Sequence, residues 1–176
     1  MTWQAIPTFT DGNALTGAQM EIIAADLEET APAKATTEGY WFISGSSANV
    51  VNERAITSDK VLTQQTTTST TYVNLATVGA QVHATTGTKA LIHHGCQMFN
   101  SGAGSCWSSY IVTNATSSAA DDDRAITCEA ASTNSFRMGY TELQTLTAGS
   151  NTFTQRYRVG SLTGTFDDRH MICMAL

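Results

Sequence analysis

Residues 152–159 alternate in character, with Phe153, Tyr157 and Val159 on one side of an extended segment and Thr152, Thr154, Arg156 and Arg158 on the other. A period of two predicts a half-buried strand, entered through a turn at Ala148-Gly149-Ser150-Asn151. Beyond a second turn, Ser161 to Gly164, the chain runs through Met171, Ile172, Cys173, Met174, Ala175 and Leu176, apolar on both faces. Such a strand is expected to be covered twice, by its own sandwich on one side and by an oligomer partner or the N-terminal segment on the other. If the second turn closes a hairpin, Arg158 falls near Asp167, and charge-assisted hydrogen bonds there would set the register.

Strand signals recur every eight to twelve residues or so from position 72 onward: 72–76, 81–85, 89–98, 106–113, 124–129, 135–141, 152–159 and 170–176. Glycine, asparagine and aspartate turns separate them, and no helical period intrudes. About eight strands at this spacing predict a jelly roll. The expected fold class is therefore mainly β, a C-terminal jelly-roll-like β-sandwich preceded by a short N-terminal arm and helix.

The N-terminal part reads differently. Trp3, Ile6 and Phe9 lie among turn formers, a density of apolar residues that suggests an arm packed on something else. Thr16-Gly17-Ala18-Gln19 has the form of a capping box, and Met20, Ile22, Ile23 and Leu27 follow at near-helical spacing, predicting a helix from about 17 to about 29 that stops before Pro32. Asp26, Glu28 and Glu29 sit at its negative end, so the helix needs a docking surface. Two short strands, 40–43 and 49–51, flank the turn Ser44–Ser47. The Thr/Gln-rich stretch 62–71 marks the expected boundary, giving an N-terminal segment of 1–62 and a β-sandwich of 63–176.

Composition narrows the function classes. Only 14% of the 176 residues are charged, the net charge is −6, and the nine Lys and Arg are scattered, which argues against nucleic acid as a partner. No apolar run approaches the roughly 20 residues needed to span a bilayer, so no membrane partner is expected. Met1 is followed by Thr-Trp-Gln rather than a secretory leader. A cytosolic start is thus expected, where disulfides are not the default. Cys96, Cys106, Cys128 and Cys173 lack C-x-x-C spacing and read as buried thiols, although Cys96 and Cys106 could face each other across a hairpin.

The candidate chemistry is thin. His93 and His94 are adjacent, so from a regular strand they point to opposite faces and do not share a metal; one reads as a core histidine, the other as exposed. Asp121-Asp122-Asp123 lacks the ligand order of a calcium loop and reads as a solvated turn. The carboxylates Glu21, Asp26, Glu28 and Glu29 belong to the docking helix rather than to a cleft. No nucleophile elbow, zinc-protease or P-loop motif occurs, and Cys106 beside Trp107 has nothing in sequence to activate it. No catalytic residue, cofactor or metal is expected.

Three stretches, in order, resemble virion structural proteins of tailed bacteriophages, especially those of actinobacterial hosts. TWQAIPTFTDGNALTGAQMEIIAADLEET (2–30) resembles their N-terminal segment, APAKATTEGYWFISGSSANVVNERAITSDKVL (31–62) the segment that follows, and TSTTYVNL (68–75), TGTKALIHHGC (86–96) and residues 146–176 their small C-terminal β-domain. Tyr40-Trp41 and Ser58-Asp59-Lys60 depart from the middle segment's usual small or acidic residues and glycine turn. The resemblance implies a non-enzymatic virion component that docks on the particle, through Trp3, Ile6, Phe9, Leu15, Ile22 and Ile23, and displays its β-sandwich outward as a capsid decoration, head fibre or minor tail protein. Its partners would be major capsid or tail proteins and two further copies in a homotrimer, with Phe153, Tyr157, Ile172 and Leu176 in core or interface. The alternative is a glycan-binding receptor module, in which Trp41, Trp107, Tyr110 or Tyr140 stacks on a host-surface sugar.

Overall fold

The computed structural model describes residues 14–28, 36–45, 50–130 and 134–176. The chain divides into two compact units, residues 1–55 and 56–176.

In the first unit, α1 (Gly17–Glu28) begins where the capping box predicts. The Thr16 amide donates to Gln19 Oε1 at 3.0 Å and the Gln19 amide to Thr16 Oγ1 at 3.3 Å, so two amides at the helix start are satisfied reciprocally. Strands β1 (Trp41–Ser44) and β2 (Val51–Arg54) pair antiparallel, Trp41 opposite Arg54 and Ser44 opposite Val51. The Glu53 carboxylate accepts from the Thr36 hydroxyl at 2.5 Å and from the Thr36 and Thr37 amides at 3.1 and 2.9 Å, which ties the preceding turn to β2 and holds this exposed carboxyl below its ordinary range. Trp3, Ile6 and Phe9 lie outside the described residues.

The second unit is a β-sandwich. Its strands are β3 (Ile56–Val61), β4 (Gln65–Thr67), β5 (Gln81–Thr86), β6 (Lys89–Asn100), β7 (Gly104–Asn114), β8 (Ile126–Ala130), β9 (Phe136–Thr145), β10 (Gly149–Val159) and β11 (Gly164–Ala175). One sheet runs β5-β10-β7-β8; the other runs β3-β11-β6-β9, with β4 also pairing β11. Strands consecutive in sequence thus mostly alternate between sheets, as in a jelly roll. The core lies between them in two clusters, one around Ile92, Tyr110, Phe153 and Met171, the other around Met98, Tyr157, Val159 and Phe166.

Four expectations change. Strand β3, assigned from sequence to the N-terminal segment, pairs with β11 from Ile56↔Met174 to Val61↔Arg169, so the second unit begins at Ile56 rather than at 63. Residues 72–76 form no strand, only a single bridge between Val73 and Tyr157. The turn at Ser161–Gly164 does not close a hairpin, because β10 and β11 belong to opposite sheets. The same holds for β6 and β7, so Cys96 and Cys106 are not cross-strand partners; all four cysteines are buried free thiols.

Phe153 and Tyr157 are fully buried core residues. On β11, Met171, Cys173 and Ala175 face the core, whereas Ile172 is exposed and Met174 and Leu176 are half-buried. Between Asp167 and His170 the β11–β6 ladder shifts register: Asp167 pairs Gln97, but His170 pairs Gly95. This one-residue bulge, with Asp168 at φ +46°, turns the Arg169 side chain into the interior. There its guanidinium donates to the Thr77 and Thr63 carbonyls at 3.2 and 2.9 Å.

Candidate functional site

The outer face of the β5-β10-β7-β8 sheet carries a recess of about 450 Å³. Register puts Arg156 opposite Ser109 and Arg158 opposite Trp107, so both arginines share the outer face, as the alternation predicts. The recess is walled by Thr70–Tyr72 on one side and Ala119–Ala120 on the other, over Ile111 and the two arginines. Arg158 already has partners on two sides. It donates to both Asp122 oxygens, at 3.1 and 2.6 Å, and lies 3.8 Å over the Trp107 ring. The Tyr72 hydroxyl donates to Asp122 Oδ1 at 2.8 Å. Arg158 first, then Tyr72, lowers the Asp122 carboxyl below its ordinary range, while burial and then Asp122 raise the Tyr72 phenol.

Arg156 differs. Its Nε has no hydrogen-bond partner among the described residues, and burial lowers its pKa. A half-buried guanidinium without an acid opposite it, beside Tyr72 and Ile111, offers donors to an anionic group with an apolar body. The Arg158–Asp167 contact expected from sequence does not form: Asp122, in the loop thought to be a solvated turn, takes that place. Asp121 binds Arg124 at 3.1 Å, so the Asp121–Asp123 loop clasps the sheet. Asp168 instead pairs with Arg137 and Lys60 on the other sheet.

The aromatics expected to stack on a sugar are placed otherwise. Trp107 is capped by Arg158. Tyr110 is buried, its hydroxyl donating to Glu142 and Gln144. Tyr140 is exposed at the edge strand β9, edge-on to His94, and Trp41 is half-buried in β1. Of the expected docking residues within the described part, Leu15 is exposed before α1, and Ile22 and Ile23 are half-buried on it.

The outer face of the other sheet holds a row of apolar side chains, Ile56, Met174, Leu91 and Leu143, set side by side by the pairings of β3, β11, β6 and β9. Next to it runs Ser58, Ile172, His93 and Thr141, and then Lys60, His170, Gly95 and Gly139. His93 and His94 do point to opposite faces. His94 is buried, bonded at 3.0 Å to the Arg124 carbonyl, and burial pushes it down to about 4. His93 on the outer face meets His170, their Nε2 atoms 3.3 Å apart. Burial, then the positive charge of the other ring, lowers His93; burial, then Lys60 and Arg137, lowers His170. This pair was not legible as a motif, because its members are 77 residues apart. The one hint is Gly95, two positions after His93 inside a strand, where a glycine marks close approach by another group. Among the described residues, no three or more His, Cys, Asp or Glu side chains gather as a cation site.

No protein-family model and no curated protein matches the chain. Among solved structures it is similar to the Eiger TNF of S. frugiperda, at 14% sequence identity and a TM-score of 0.37, over 80% of this chain and 87% of that one.

Proposed function

We propose that the chain is a non-enzymatic structural protein of a tailed-phage particle, its N-terminal unit docking on the virion and its β-sandwich displayed outward as a capsid decoration, head fibre or minor tail protein. The sequence resemblance, in order along most of the chain, supports this. The observation that carries it is the division at Ile56: the sandwich closes its own core from residue 56 onward, so residues 1–55 are not needed to complete it. Within that first unit, Leu15 and Met20 are exposed around a capped helix of only twelve residues, a length that is marginal in isolation. A homotrimer would cover the apolar row Ile56, Met174, Leu91 and Leu143, a surface that invites association when left open.

Deleting residues 1–55 is expected to leave a folded sandwich that no longer joins purified particles. Co-sedimentation of the truncated protein at full occupancy would refute the docking role. A second reading, host-glycan recognition, is favoured by the Arg156 recess, which suits an acidic saccharide. Binding of uronic-acid oligosaccharides that Arg156→Ala abolishes would support it, and indifference to that substitution would remove it.

A further inference from the structure

We propose that His93 and His170 form a binding site for a single divalent transition metal ion, zinc being the best match, on the outer face of the sandwich. The separation of the two nitrogens is the first argument. Zinc–imidazole bonds of about 2.0–2.1 Å at the tetrahedral angle require donor nitrogens about 3.3–3.4 Å apart, whereas a right-angled square-planar site needs about 2.8–2.9 Å. The two Nε2 atoms stand 3.3 Å apart. The ring centroids are 5.3 Å apart with planes tilted by 32°, so the rings meet through their Nε2 edges and do not stack.

Each remaining ring nitrogen is already held. His170 Nδ1 lies 3.3 Å from the Asp168 carbonyl oxygen, which only accepts, so His170 carries its proton on Nδ1 and presents a lone pair at Nε2. His93 Nδ1 lies 2.7 Å from the Thr141 hydroxyl, which donates or accepts. In the metal-free pair His93 Nε2–H donates to His170 Nε2, and Thr141 donates to His93 Nδ1. When the metal binds, the His93 proton moves to Nδ1, Thr141 turns to accept it, and no net proton is lost. The hydroxyl thus serves both tautomers.

The site is also shaped for the rings. A Cβ on Gly95 would lie 2.2 Å from His170 Cε1, and one on Gly139 would lie 2.9 Å from His93 Cε1. These two glycines are directly paired between β6 and β9. The bulge at Asp168 and Arg169 brings His170 into register with Gly95. Two protein ligands leave two tetrahedral positions facing outward, open to water or to a donor from another molecule.

The test uses the full chain, freed of metal with a chelator and titrated with Zn²⁺ alone by isothermal calorimetry. One zinc per chain is expected. His93→Gln and His170→Gln should each weaken binding at least about tenfold, and Thr141→Val by about tenfold through loss of the orienting hydroxyl, with circular dichroism confirming an unchanged fold. In the zinc-loaded protein, nitrogen NMR should show both rings protonated at Nδ1. Absence of binding at millimolar zinc would overturn the proposal. So would equal affinity in both histidine variants, which would place the ion on other groups such as the thiols.

Discussion

Gln155 is a fully buried amide that crosses between the sheets at the bulge. From β10 its Nε2 donates to the Gly95 and His170 carbonyls, at 3.0 and 3.1 Å, and its Oε1 accepts from the Tyr157 hydroxyl at 3.0 Å. Gly95 and His170 are the pair at which the β6–β11 ladder resumes after its register shift. Gln155→Met keeps the length and the approximate volume of the side chain but removes all three bonds. Each is worth about 0.5–1.5 kcal/mol net, and a buried polar atom left without a partner costs about 1–3 kcal/mol. Relief of the amide's own burial offsets part of this. The expected loss is about 2–4 kcal/mol, which lowers the urea midpoint of the sandwich by about 1–2 M at an m-value near 2 kcal/mol/M. Equilibrium unfolding of the full chain, followed by near-ultraviolet circular dichroism, measures it. Gln155→Glu should be worse at neutral pH, since a carboxylate cannot donate to two carbonyls. A midpoint shift below about 0.3 M for Gln155→Met would mean that the bulge carbonyls are satisfied without this side chain, and the reasoning would fail.

Two further perturbations bear on the histidines and the recess. His94 is neutral in the core, packed near Arg124, Tyr110 and Tyr140, with a pKa of about 4 against 6.5 for the free group. Between those values the unfolded chain binds the proton and the folded one does not, so stability should be constant above pH 6.5 and fall by roughly 3 kcal/mol as pH drops to 4. His94→Gln should flatten that slope in melts at pH 7, 5.5 and 4.5, and an unaltered slope would refute the assignment. Arg158→Ala and Asp122→Ala should couple by no more than about 1 kcal/mol in a double-mutant cycle, because Asp122 is 59% exposed. Arg158→Ala combined with Asp167→Ala should be additive, since the two residues sit on opposite sheets.

Local chemistry was the part of the fold most readable in sequence. The capping box places the start of α1, and alternation finds most strands of the sandwich and puts Arg156 and Arg158 on one face. Sheet membership was not readable, because a four-residue turn such as Ser161–Gly164 serves a hairpin and a crossover between sheets equally well. That ambiguity produced the mistaken pairing of Arg158 with Asp167. Residues 72–76 have strand composition and run beside β10 past the end of its pairing with β5, but only Val73 forms a bridge there, to Tyr157. The recess depends on a loop, 119–122, folding back over a strand face, and His93 meets His170 only through the β6–β11 pairing. Both are products of topology, which no local window contains.

The bulge in β11 works like a frameshift. Before it, even-numbered Phe166 faces the core; after it, odd-numbered Arg169, Met171, Cys173 and Ala175 do. Were the strand to lose the bulge and keep all its residues, regular alternation from Phe166 would drive His170, Ile172 and Met174 inward and Met171, Cys173 and Ala175 outward. Deleting Asp168 would do the opposite: Arg169 would follow Asp167 in ordinary alternation, and every later side chain would keep the face it has now. The side chains that this strand shows to the outside therefore hang on where the surplus residue is absorbed, and a substitution that straightened the stretch between Asp167 and His170 would rewrite that face without changing a single amino acid on it.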